Sequence, residues 1–123
     1  LERMEFIGGD ALESIPQAET EGDVYLFIAV FHALNDIDCR KILHNLKTAM
    51  GNTSSYVVIA DAVSNEVNID SIIASMDMKM LMGTKGRERT MSEWKQLFND
   101  TGFIIESVMD GRTFAKFIVL RKQ

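Results

Sequence analysis

The chain has 123 residues, a formal net charge of −5, 46% apolar residues and 25% charged residues. That is enough for one domain around one core, with the composition of a water-soluble globular protein. The charge is scattered with no basic stripe, which argues against nucleic acid as a partner. The longest apolar run, Val24–Leu34, is too short to span a bilayer, and no signal peptide opens the sequence.

One cysteine, Cys39, excludes an intramolecular disulfide and points to a reducing, cytoplasmic setting. It reads as a small buried hydrophobe on a helix face rather than as a nucleophile. His32 and His44 stand apart with no Cys–His spacing, so no metal site is expected.

In chain order, residues 4–7 (MEFI) read as a short strand, followed by Gly8-Gly9-Asp10. Residues 11–22 are a polar connector holding the only proline, Pro16. Asp23–Val30 follows as a strand whose continuous apolar run from Val24 is the pattern of a parallel strand covered on both faces. Asn35 or Asp36 caps a helix over 36–50, and Asp36 and Asp38 suit its positive N-terminal end. Cys39, Ile42, Leu43, Leu46, Ala49 and Met50 recur along it at three- and four-residue steps, and Gly51 stops it. Tyr56–Ala60 is a second buried strand ending at Asp61. Strand, helix and strand of these lengths form a parallel crossover, which should be right-handed.

Past a polar loop at 64–68, apolar spacing predicts a helix over 69–82, with Met76, Met78, Met80 and Met82 crowded into its second half. These read as adaptable core filling or as one wall of an apolar substrate pocket. GTKGRER at 83–89 is a charged loop. Thr90 and Glu93 make a capping box for a helix over 91–101 whose inner face is Trp94, Leu97 and Phe98. Phe103–Met109 and Thr113–Leu120 are strands joined at Asp110-Gly111, a hairpin signal. The fold class is therefore α/β, a mixed sheet of parallel strands and an antiparallel C-terminal hairpin flanked by helices.

Three titratable groups fall just past predicted strand ends: Asp10, His32 and Asp61. Carboxyl ends of parallel strands share one edge, where α/β folds place their chemistry. Each group also has a plainer reading: Asp10 as a turn residue, Asp61 as a loop cap, His32 as a helix-entry histidine. Arg87, Glu88 and Arg89 read either as a solvated charge cluster before a helix or, for Glu88, as a group folded back to support His32.

Taken together, FIGGDALESIP at 6–16, DVYLFIAVFHALNDIDC at 23–39, YVVIADAV at 56–63 and MDMKMLMGTKGRERTMSEWKQLFNDTGF at 76–103 resemble, in order and spacing, the C-terminal half of the S-adenosylmethionine-dependent O-methyltransferase family that includes caffeic acid, flavonoid and hydroxyindole methyltransferases. The resemblance implies a Rossmann-like methyltransferase fold with sheet order 3-2-1-4-5-7-6, of which this chain would hold strands 3, 4, 5, 6 and 7. It implies that Asp10 holds the adenine end of S-adenosylmethionine with Ala11 beside it. His32 is then the general base, and Asp61 and Glu88 are its acidic partners. The substrate would be a small hydroxylated, aromatic molecule, and the assembly a homodimer.

On that resemblance, residues 1–123 form part of a catalytic domain. The family's glycine-rich cofactor loop and N-terminal dimerisation domain would precede Leu1, and the isolated chain would be inactive. Strand 4 would then present an apolar open edge, with residues 1–22 displaced or two chains paired through it. Ala33 and Leu34 stand where the family has Asp and Trp, and Ile28 where many members have a cofactor-touching lysine. These departures motivate an alternative: a catalytically silent α/β remnant or interaction module.

Overall fold

The computed structural model describes residues 3–64, 89–111 and 115–123. The helix expected over 69–82 with its four methionines, Glu88, and the start of the last strand at 113–114 lie outside the described residues. The elements in order are β1 (Val24–Ile28), a 3-10 turn (Phe31–Ala33), α1 (Asp36–Met50), β2 (Tyr56–Ser64), β3 (Arg89–Thr90), α2 (Met91–Asp100), β4 (Phe103–Asp110) and β5 (Ala115–Lys122).

The sheet runs β1-β2-β5-β4, with β3 paired to the end of β2. β1 and β2 are parallel, from Val24 opposite Tyr56 to Ile28 opposite Ala60, as a strand–helix–strand crossover requires. β5 runs antiparallel to both β2 and β4. A register shift between Ile105 and Ser107 leaves Glu106 as a bulge in β4. The β4–β5 hairpin begins with the Gly111 N–H donating to Ala115 O at 3.0 Å. A Cβ at Gly111 would sit 2.6 Å from that same oxygen, so the close approach requires glycine.

Local signals explain both helices. The Asn35 side chain accepts from Asp38 N, which selects Asn35 over Asp36 as the cap of α1. The expected Thr90–Glu93 capping box is present in full at α2: Thr90 Oγ1 accepts from Glu93 N at 3.2 Å, and Glu93 Oε1 accepts from Thr90 N at 3.1 Å. Such a box contributes about 1 kcal/mol.

One continuous core lies between the helices and one sheet face. Leu43, Leu46 and Met50 of α1 meet Val57 and Ile59 of β2, Ile118 and Leu120 of β5, and Trp94 and Phe98 of α2. Alternation puts Val57 and Ile59 on the core face of β2, and Asp61 continues that inward series.

Three expectations are corrected. Met4–Ile7 is not a strand; Met4, Phe6 and Ile7 are exposed. No strand among the described residues pairs with it. β1 is not covered on both faces: Tyr25 and Phe27 pack against the core, while Val24, Leu26 and Ile28 are 57%, 56% and 65% exposed. Among the described residues β1 ends the sheet and so presents the expected open apolar edge. β2, finally, does not stop before Asp61. It continues to Ser64 because Val63 and Ser64 pair with Arg89 and Thr90, which puts Asp61 inside the strand.

Candidate functional site

β1 ends abruptly. Ala29 takes a left-handed conformation, φ 54°, while its N–H still donates to Ala60 O at 2.9 Å. Such a backbone costs an L-residue about 1–2 kcal/mol. It turns the chain out of the sheet into the 3-10 turn that carries His32. Ala33 N–H donates to Val30 O and Leu34 N–H to Phe31 O, both at 3.1 Å.

His32 is 8% exposed and Asp61 3% exposed. The structure brings these two predicted residues together. Asp61 Oδ1 lies 3.5 Å from His32 Nδ1, and Asp61 Oδ2 accepts the His32 backbone N–H at 3.2 Å. One carboxylate therefore grips both the ring and the backbone of the same histidine. With Nδ1 turned to the carboxylate, Nε2 is the basic nitrogen of the neutral ring.

Burial pushes the Asp61 carboxyl above its ordinary range; the His32 charge, the N–H groups of Ala62 and His32, and the Arg89 charge pull it back in part. The folded acid thus binds its proton more tightly than the unfolded one. As pH rises from 3.8 through the raised folded value, the native state holds more protons than the unfolded state, and stability falls. Asp61→Asn cannot ionise and lacks this dependence. Its melting temperature relative to wild type should rise as pH climbs from about 4 through the raised folded value of Asp61, and level off above it. Thermal unfolding across that range tests it, and a pH-independent difference would contradict it.

Arg89 was read from the sequence as part of a solvated charge cluster. The structure overturns this: Arg89 is 1% exposed. Its Nη1 donates to Phe31 O at 3.0 Å and its Nη2 to Leu34 O at 3.0 Å. Nη2 and Nε also reach Asp36 Oδ1, at 2.8 and 3.1 Å. The guanidinium carbon stands 5.3 Å from the Trp94 ring centroid. A sequence signal existed. Arg89 and Trp94 occupy the positions just before the cap and four residues after it, where capped helices place a hydrophobic staple. Here a cation over an aromatic face fills that role. Cys39 is buried beside the same guanidinium, and burial pushes its thiol up to about 11, which keeps it protonated and inert at neutral pH.

Asp10 and Ala11 lie elsewhere, in the coil before β1. Asp10 Oδ1 accepts from Leu12 N at 2.9 Å, so Asp10 does shape a turn. Ala11 O accepts from Asn45 Nδ2 of α1 at 2.9 Å. Both line an open cavity of about 510 Å³ with Ile7, Gly8, Gly9 and Phe27. Its donor set suits the base end of a nucleoside. Apolar Ile7 and Phe27 can flank a ring, one carboxylate retains acceptor capacity for an exocyclic amine, and a Cβ at Gly8 or Gly9 would meet nothing within 4 Å. Glu88 lies outside the described residues.

Residues 1–104 match the model of the O-methyltransferase domain family. The chain is 38% identical over 104 residues to a flavonoid 4'-O-methyltransferase of Glycine max, covering 80% of this chain and 28% of that protein. Among solved structures it superposes on the mitomycin 7-O-methyltransferase MmcR with a TM-score of 0.90 at 28% identity, covering 99% of this chain and 35% of that one. It also matches OxaC in complex with sinefungin and meleagrin, with a TM-score of 0.85 at 27% identity, covering 99% of this chain and 31% of that one. The mixed sheet and its helices are thus those of a methyltransferase of Rossmann-like architecture. The chain belongs to the O-methyltransferase family, and it spans about a third of the length of the curated relatives it matches.

Proposed function

We propose that the protein to which this chain belongs transfers a methyl group from S-adenosylmethionine to a hydroxyl of a small aromatic molecule, with His32 as the general base. The observation that carries this is the buried His32–Asp61 pair at the end of β1, in a chain of the O-methyltransferase family. When bound, S-adenosylmethionine supplies an electrophilic methyl group. Asp10 and Ala11 would hold its adenine end, a reading supported by the cavity they line and by the sinefungin in the related OxaC structure.

His32 Nε2 takes the proton of the acceptor hydroxyl as that oxygen becomes nucleophilic. Asp61 holds the ring by Nδ1 and stabilises the imidazolium that forms. The raised affinity of Asp61 for protons helps here. A carboxylate that burial has stripped of water gains most when a cation develops beside it. Glu88 is the second acidic partner in this reading. The names of relatives that act on flavonoids, eugenol and tabersonine support a small aromatic acceptor.

The chain is read as part of a catalytic domain in which the glycine-rich cofactor loop and the dimerisation domain come from outside residues 1–123. The protein is read as a cytoplasmic homodimer. Among the described residues, no helix is long and apolar enough to cross a membrane. On its own, the 123-residue chain should bind the cofactor weakly, and its exposed β1 edge should drive self-association. A monodisperse monomer in sedimentation would contradict the second expectation.

The direct test of the activity is transfer of labelled methyl from S-adenosylmethionine to a panel of flavonoid and simple phenolic acceptors by the active protein. Labelled methyl ether supports the reading. Tight cofactor binding with no transfer to any hydroxyl would favour the silent-module alternative that Ala33, Leu34 and Ile28 motivate.

A further inference from the structure

We infer that Arg89 is a positioning residue that sets His32, by clamping the turn on which the histidine stands rather than by its charge. The inference rests on His32 being the base. Phe31 and Leu34, whose carbonyls accept from Arg89, flank His32 and Ala33. The clamp therefore brackets the two residues between these carbonyls. Asp61 additionally holds the His32 N–H.

The turn has reason to need bracing. It is three residues long, it is entered through left-handed Ala29, and its cap at Val30 makes no side-chain hydrogen bond. A 3-10 turn of that length carries little stability of its own. Arg89 is itself well fixed. β3 pairs with β2, Trp94 supports one face of the guanidinium, and Asp36 takes two of its N–H groups. The planar fork matters because its two terminal nitrogens reach two different carbonyls at once, which an ammonium at the end of a flexible stem does not reproduce.

The test separates clamp from charge. In the 123-residue chain, Arg89→Lys keeps the charge and Arg89→Met keeps most of the volume. His32 is followed by its ring NMR resonances and the Ala33 and Leu34 amides by hydrogen exchange. Exposed His44, the only other histidine, serves as an internal reference. We expect both variants to move the His32 resonances, leave His44 unchanged and speed exchange of the two amides by about tenfold or more. In the active protein, Arg89→Lys should lower kcat by about 10- to 100-fold, with the KM values changed far less, as a small misplacement of a base does.

Wild-type resonances and exchange in Arg89→Lys would overturn the inference, because charge alone would then suffice. Global unfolding of Arg89→Lys, read by loss of the far-ultraviolet dichroism, would also overturn it, because the residue would then hold the fold and not the turn. Perturbed His32 resonances with wild-type kcat would leave the clamp standing and remove His32 as base, so the two readings fail separately.

Discussion

Replacing His32 by alanine should lower methyl transfer by about 10²- to 10⁴-fold, the usual contribution of a positioned general base. The loss should fall on kcat. Asp10 and Ala11 line a separate cavity that does not include His32 or Asp61, so the dissociation constant for S-adenosylmethionine should change little. The fold should survive. Asp61 keeps the backbone N–H of residue 32 and that of Ala62, at 3.2 and 3.1 Å, and neither depends on the imidazole. Losing the ring removes the largest of the interactions that hold the Asp61 carboxyl down, so it should bind its proton more tightly still. Steady-state kinetics and calorimetry on the same preparation check this. Full activity in His32→Ala would remove the residue from the chemistry.

Trp94→Ala should be the most damaging single truncation in the core, costing about 3–5 kcal/mol. Total stabilities are about 5–15 kcal/mol, so this is a large share of what holds the fold. Trp94 is completely buried. It stacks on Phe98 with ring centroids 5.6 Å apart, meets Phe31 edge-on at 6.3 Å, and carries the Arg89 guanidinium on its face. Its removal would leave a cavity under the turn of His32 as well as at the start of α2. Trp94→Phe should cost far less. The indole Nε1 has no hydrogen-bond partner among the described residues, so the smaller ring sacrifices no bond and relieves a buried unsatisfied donor. Urea unfolding of the two variants decides it; equal losses would mean that the indole nitrogen matters more than ring packing.

The periodic elements were legible in the residue pattern. α1 runs over Asp36–Met50 as its apolar spacing predicts, and the capping box places α2 to within a residue. The strand–helix–strand unit and the terminal hairpin were legible as pairs, and the observed order β1-β2-β5-β4 is the 4-5-7-6 portion of the sheet that the family resemblance implied. What the pattern could not show depends on partners distant in sequence. Met4–Ile7 has the composition of a strand, but a strand also needs a neighbour. The run Val24–Ile28 is apolar at every position, so residue type could not tell which face the helices cover. Asp61 was placed at a strand end because the apolar stretch Tyr56–Ala60 stops there. The extension to Ser64 comes from pairing with residues 89 and 90, far along the chain.

The site divides in the same way. His32 and Asp61 were expected at one sheet edge and do meet. Arg89 was missed because three charged residues in a row, Arg87 to Arg89, look solvated, and burial of the last one shows only when the Phe31 and Leu34 carbonyls are brought to it. An arginine just ahead of a capping box, with a tryptophan four residues past the cap, was the local clue.

The central claim is that His32 acts as the base of a methyl transfer, and chemical rescue tests it most directly. In His32→Ala, added imidazole should restore transfer in proportion to its concentration, following its unprotonated fraction as pH rises through the imidazole midpoint close to neutrality. It should restore nothing in wild type or in an Asp10 variant. A His32→Ala protein that stays silent at every imidazole concentration while binding both cofactor and acceptor normally would contradict the account.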